Sequence, residues 1–154
     1  MGLFLNTTIP YDSYKITASD RYFVDKTELL AELIPALGTS QRFLCITRPR
    51  RFGKSVMANM VGAFFGKAVD SSDLFSKLKI SSQEISEKLK KSACKNYQEY
   101  LNSYNVIYID FSEIPENCAS YLTYINRILH GIKKDLNLLF PESCQSPNTQ
   151  TALI

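Results

Sequence analysis

The stretch F-L-C-I-T-R-P-R-R-F-G-K-S, from Phe43 to Ser55, decides how the rest of the chain is read. Phe43-Leu44-Cys45-Ile46 is a short apolar run of the kind a buried strand of a parallel sheet presents. A turn rich in cations and proline follows, then Gly53-Lys54-Ser55. Beyond it, Val56, Met57, Met60, Val61, Phe64 and Phe65 recur at helical spacing. Strand, loop, Gly-Lys-Ser and helix make the layout of a phosphate-binding loop. The start of such a helix offers unpaired N–H groups and a partial positive charge to an anion. In this layout Lys54 meets the terminal phosphates of a nucleoside triphosphate, and the Ser55 hydroxyl holds Mg2+. One position departs from the pattern G-x-x-x-x-G-K-[ST]. Arg48 stands where the first glycine belongs, a site that ordinarily needs the backbone freedom a Cβ removes. The competing reading is a basic surface loop in which Gly53 only punctuates a helix start.

Composition bounds the answer without choosing it. A chain of 154 residues is one domain by the usual prior and can bury a real core. Hydrophobic content of 45% with 21% charged residues is ordinary for a soluble globular protein. A formal charge of +3 is too mild to argue for nucleic acid on its own, although Arg42, Arg48, Arg50 and Arg51 cluster. The four cysteines, Cys45, Cys94, Cys118 and Cys144, are widely spaced and His130 is the single histidine, so no zinc site can be drawn from them. Cys45, inside the expected strand, reads as a small buried hydrophobe. With no signal-peptide pattern and no apolar run of spanning length, free thiols, a cytoplasmic address and no membrane are the expectation.

Along the chain, residues 3 to 23 read as an irregular lead-in, with a short strand near Tyr22 to Val24. Asp25-Lys26-Thr27-Glu28 opens a helix carrying Leu29, Leu30, Leu33, Ile34 and Leu37, capped by Asp25 or Thr27 and closed by Gly38. Asp73 to Ile80 is a short helix or turn. Ser81-x-x-Glu84 resembles a capping box for a helix running to about Tyr104. Asn105 to Ser112 is apolar almost throughout and predicts a second strand, in parallel with the first through a right-handed crossover. Cys118 to Phe140 is a long amphipathic helix with Leu122, Ile125, Ile128, Leu129, Ile132, Leu136 and Leu139 on one side. Residues 141 to 154 turn polar and are expected to fray. Asp110, at the end of the second strand, has two readings: a carboxylate that helps to hold Mg2+, or a strand-end aspartate satisfied by local N–H groups.

Arg48-Pro49-Arg50-Arg51-Phe52-Gly53-Lys54-Ser55 resembles the loop of the AAA-ATPase-like family of prokaryotic P-loop proteins, which writes R-P-R-R-F-G-K-S with arginine at the first glycine. Ile9-Pro10-Tyr11 and Tyr22-Phe23-Val24-Asp25-Lys26-Thr27 are similar to that family's lead-in. Leu74 to Ile80 is similar to its L-F-x-x-L-x-I segment, and Val106 to Ser112 to its V-I-x-L-D-F-S strand. The resemblance implies an α/β fold, an incomplete P-loop NTPase-type parallel sheet flanked by helices. Residues 1–140 would be the N-terminal part of the ATPase-like domain and 141–154 a tail. It also implies ATP with Mg2+ at Arg48 to Ser55. Full-length members carry a later strand ending L-I-D-E-Y-D and often a PD-(D/E)XK nuclease-like domain, neither of which occurs in these residues. The expectation is therefore binding with weak or absent hydrolysis in a truncated chain, with a protein partner or self-association completing the sheet. By the same comparison Asp110 belongs to an earlier strand than the metal carboxylate. Two other functions stay open: a nucleic-acid-contacting module in which Arg48, Arg50 and Arg51 meet backbone phosphates, and an inactive truncated gene product.

Overall fold

The computed structural model describes residues 2–47, 49–111 and 120–141. Arg48, Ser112, Cys118, Cys144 and the expected tail from 142 onward lie outside the described residues. The chain forms two compact units, one from Thr8 to Asn105 and one joining Met1–Thr7 to Val106–Ile154.

In the first unit, α1 (Ile9–Ala18) packs against α3 (Lys54–Phe65). Pro10 sits in the first turn of α1, where a missing N–H costs nothing and a preset φ suits the helix. The lead-in is thus a helix rather than irregular chain. Its Tyr14 stacks on Phe75 at 5.7 Å between ring centres, and Phe75 meets Phe64 of α3 edge-on at 5.1 Å. All three rings are almost wholly buried. Each such side chain contributes on the order of 1.5–3 kcal/mol by leaving water. Leu30 and Ile34, from α2 (Leu30–Leu33) and the tighter turn after it, are buried as well.

The Val24-Asp25-Lys26-Thr27 segment is a clasp. One Asp25 carboxylate oxygen accepts the Thr27 N–H and hydroxyl at 2.8 and 2.7 Å, and the other accepts the Lys79 N–H. The Thr27 hydroxyl oxygen in turn accepts the Ile80 N–H at 3.0 Å, deep in the core. Two segments far apart in sequence are so held by one acid and one hydroxyl. Short α4 (Ser72–Phe75) leads into that second segment. Next, α5 (Gln83–Lys91) is capped by the Ser82 hydroxyl accepting the Ile85 N–H, one residue later than the expected box at Ser81. It ends at Lys91 and not near Tyr104, because Ala93 takes a left-handed conformation (φ 56°) that no helix continues through.

The second unit is built on α6 (Tyr121–Leu139), capped by Ser120, whose hydroxyl accepts the Thr123 N–H. Of the expected stripe Ile128 is buried while Leu122 and Leu129 are exposed, and Tyr124, outside that stripe, is buried as well. The residue that ties the unit together is Asp135. Its buried carboxylate accepts the N–H groups of Leu3, Phe4 and Leu5 at 2.9, 2.7 and 3.0 Å. Burial alone would raise this carboxyl, but the donated bonds outweigh it and hold the group below its ordinary value.

The expected parallel sheet is overturned. Among the described residues the chain is helical, and the ladder contacts are two isolated bridges, Leu5 with Ile107 (antiparallel) and Gly66 with Tyr104 (parallel). Phe43 to Ile46 has no regular secondary structure and no strand partner among the described residues, with Phe43 82% and Leu44 57% exposed. Cys45, expected inside, is exposed too. An apolar run becomes a central strand only when neighbours on both edges take its N–H and C=O groups and cover its faces. Phe43–Ile46 has no such neighbours among the described residues, and Ile107 of the other expected strand has its one bridge with Leu5. Tyr22 to Val24 is likewise not a strand.

Candidate functional site

The loop from Pro49 runs into α3, whose apolar side the helical spacing of Met57, Met60 and Phe64 sets against the core. Its backbone turns sharply at two alternate residues, Arg51 (φ 66°) and Gly53 (φ 74°), both left-handed. Glycine adopts that conformation freely and arginine does not, so strain sits at Arg51. Successive turns of this sort aim N–H groups inward and make anion-holding concavities. The Gly53 carbonyl accepts the Met57 N–H at 3.0 Å as the first helical bond. No side chain caps this helix start. Lys54 folds back over the loop and donates from Nζ to the Pro49 carbonyl at 2.9 Å. The ammonium therefore stands over the loop it belongs to.

Ser55 lies in the first turn of α3 and is exposed, so its hydroxyl is open to a ligand or ion. Arg50, Arg51 and Phe52 are exposed beside it. The structure thus brings together Pro49, Arg50, Arg51, Phe52, Gly53, Lys54 and Ser55 in one turn. Asp110 belongs to the other compact unit, where its main-chain carbonyl accepts the Tyr124 hydroxyl at 3.1 Å. Among the described residues no group of three or more His, Cys, Asp or Glu side chains is arranged to hold a metal ion. No helix there is long and apolar enough to cross a membrane.

A cleft of about 410 Å³ adjoins the loop, lined by Phe52, Gly53, Val56 and Met57 on one side and by Tyr14, Tyr22 and Val24 on the other. Tyr14 is 1% exposed and its hydroxyl has no hydrogen-bond partner among the described residues. Burial, aided by the nearby Asp25 carboxylate, pushes its phenol well above the ordinary range, so it stays protonated and keeps a proton to donate. A wider cleft of about 640 Å³ lies elsewhere in this unit, rimmed by Glu28, Glu32, Glu84 and Lys88. Lys88 pairs there with Glu32, and the cleft touches none of the loop. The smaller cleft is the one that adjoins the loop.

Sequence reasoning found the loop but passed over Tyr14 and Asp135. Tyr14 falls inside the stretch read as an irregular lead-in, and the helical spacing of Pro10 and Tyr14 is the signal that sets it on a buried face. Asp135, an acid among the apolar positions of a long helix, carried a similar signal.

A family model described as Predicted AAA-ATPase matches residues 10–152. Comparison with curated proteins brings no match, nor does comparison with solved structures. Since the matched span takes in nearly all of the sequence, with both the loop and the clasp inside it, the chain belongs to the AAA-ATPase-like family.

Proposed function

We propose that the loop Arg48 to Ser55 binds a nucleoside triphosphate, ATP with Mg2+, through a variant of the Walker A motif. The observation that carries this reading is Lys54 folded onto the Pro49 carbonyl above a loop with two left-handed turns, leading into an uncapped helix start. When a triphosphate enters, Lys54 exchanges one carbonyl for phosphate oxygens, and the main-chain N–H groups up to Ser55 share the remaining negative charge. Ser55 is the residue that fits Mg2+, since its hydroxyl is exposed in the first helical turn. Bound there, the ion would neutralise phosphate charge. The exposed Arg50 and Arg51 add charge at the entrance. For these 154 residues taken alone the reading is binding with weak or absent turnover.

Titrating Mg-ATP into the wild-type chain and Lys54→Ala tests it. One charge-assisted contact is worth about 1.5–3 kcal/mol, so the variant should bind roughly ten- to a hundredfold more weakly. Equal affinity in both proteins would end the reading. Binding of duplex DNA that falls steeply with salt and is indifferent to ATP would favour the arginine cluster as a nucleic-acid contact instead.

A further inference from the structure

The long helix α6 carries two rows of side chains, and its own unit covers only one of them. Tyr124, Ile128 and Asp135 are buried, and Gly131 between them lies against the Phe4 ring. These positions, at i, i+4, i+7 and i+11, share one side of the helix. A second row, Leu122, Ile125, Leu129, Ile132, Leu136 and Leu139, recurs at alternating steps of three and four residues. At about 100° per residue it lies roughly a quarter turn around the helix from the buried row. Leu122 is 68% and Leu129 50% exposed, and the other four are partly covered.

Single exposed leucines need no explanation, but an unbroken seven-residue repeat of leucine and isoleucine does. Steps of three and four average 3.5 residues, the period of a seam between two paired helices. The surface along this row is shaped to match. A recess of about 340 Å³ opens there, with Leu129, Ile132, Lys133 and Leu136 among its walls. Residues at i, i+3, i+4 and i+7 make the hole that receives one side chain from a facing helix.

We infer that α6 of one copy pairs antiparallel with α6 of a second copy along this row, giving a two-fold symmetric dimer. Turned end for end, the row matches itself. Leu122 meets Leu139 of the second copy, Ile125 meets Leu136, and Leu129 meets Ile132, so every layer joins side chains of equal size. Leu129 of the second copy enters the recess, and symmetry places the first copy's Leu129 in the matching one. Charge agrees with this direction. Asn126 and Lys133, both exposed, flank the row on its open side, and the antiparallel register sets Lys133 opposite Asn126 of the second copy. No cation faces a cation there. In a parallel pair Lys133 would instead face Ile128, which its own unit already covers.

The cost of pairing is small because α6 is ordered beforehand, held to Leu3, Phe4 and Leu5 by the Asp135 carboxylate. With 19 residues it is about 28 Å long. Two such helices in contact along that length bury on the order of 1,000 Å², the lower limit of a specific interface. The dimer is accordingly weak and concentration-dependent.

Sedimentation velocity of the whole chain over a concentration series tests this on wild type, Leu129→Glu, Asn126→Glu and Asn126→Lys. Both positions are exposed in the single chain, so the variants keep its fold, which circular dichroism and the melting temperature check. The expected result is a monomer–dimer equilibrium in wild type that Leu129→Glu abolishes. Asn126→Glu forms two new pairs with Lys133 per dimer and should tighten it roughly two- to tenfold. Asn126→Lys should weaken it by a similar factor, and high salt should shrink both shifts. A wild-type chain that stays monomeric at its highest soluble concentration overturns the inference and leaves the row to a different protein. A dimer that survives Leu129→Glu, or an assembly larger than two, overturns it as well. Dimerisation lost in Leu129→Glu but unmoved by both Asn126 variants overturns the antiparallel register.

Discussion

Replacing Asp135 by asparagine tests the reasoning about the second unit most sharply. Oδ2 accepts from Phe4 and Leu5 at 2.7 and 3.0 Å, and Oδ1 from Leu3 at 2.9 Å. An amide can keep its oxygen where two bonds converge, but its N–H2 then faces the Leu3 N–H, donor against donor. One bond is lost outright and two lose their charge assistance. At about 1.5–3 kcal/mol for a charged bond and about 1 for a neutral one, the loss is roughly 2.5–7 kcal/mol. For a chain of this size that lowers the melting temperature by roughly 5–25 °C. The effect has a pH signature. Burial pushes the Asp135 carboxyl up, the N–H groups of Phe4, Leu5 and Leu3 pull it down, and the result lies below the ordinary value. A group with a depressed folded pKa stabilises fully above its unfolded value, about 3.9, and loses that contribution as pH falls through the folded value. The gap between wild type and Asp135→Asn should therefore be constant between about pH 5 and 7 and close progressively below about pH 4. Thermal denaturation across this range measures the gap, and hydrogen exchange at the Leu3, Phe4 and Leu5 amides shows where it acts. A gap as wide at pH 3 as at pH 7, or unchanged exchange at those three amides, would refute the account.

Two further outcomes follow from the packing. Thr27→Val keeps the shape of a fully buried side chain but leaves the Ile80 N–H without an acceptor, so urea denaturation should register a loss of about 1–3 kcal/mol. Gly131→Ala, inside α6, would ordinarily gain about 1 kcal/mol of helix propensity. Here the new Cβ meets the Phe4 ring at 2.5 Å, so the variant should melt below wild type, and a stabilised variant would show that Phe4 swings aside freely.

The two long helices were legible because their signals are local. Val56 to Phe65 repeats at helical spacing behind a glycine, and α6 has Ser120 as a cap and a sustained amphipathic period. The turn at Gly53 into α3 was legible for the same reason, since a glycine ahead of an apolar helical period is a pattern of neighbours in sequence. Other local features were misjudged by giving a residue the wrong role. Pro10 starts a helix where an irregular lead-in was expected, and Ala93 ends α5 although alanine favours helix.

What no local pattern could decide is which segments find partners. Phe43 to Ile46 has the composition of a core strand, yet its burial depends on neighbours supplied from elsewhere, and among the described residues it stands exposed. Asp135 has the composition of a solvated position, yet three N–H groups about 130 residues away in sequence bring it inside. Tyr14 became notable only when Phe75 and α3 closed around it and left its buried hydroxyl without an acceptor among the described residues. Periodicity and capping are properties of adjacent residues, so they can be read in one dimension. Burial, pairing and the emptiness of a cleft belong to residues that meet only when the chain has folded.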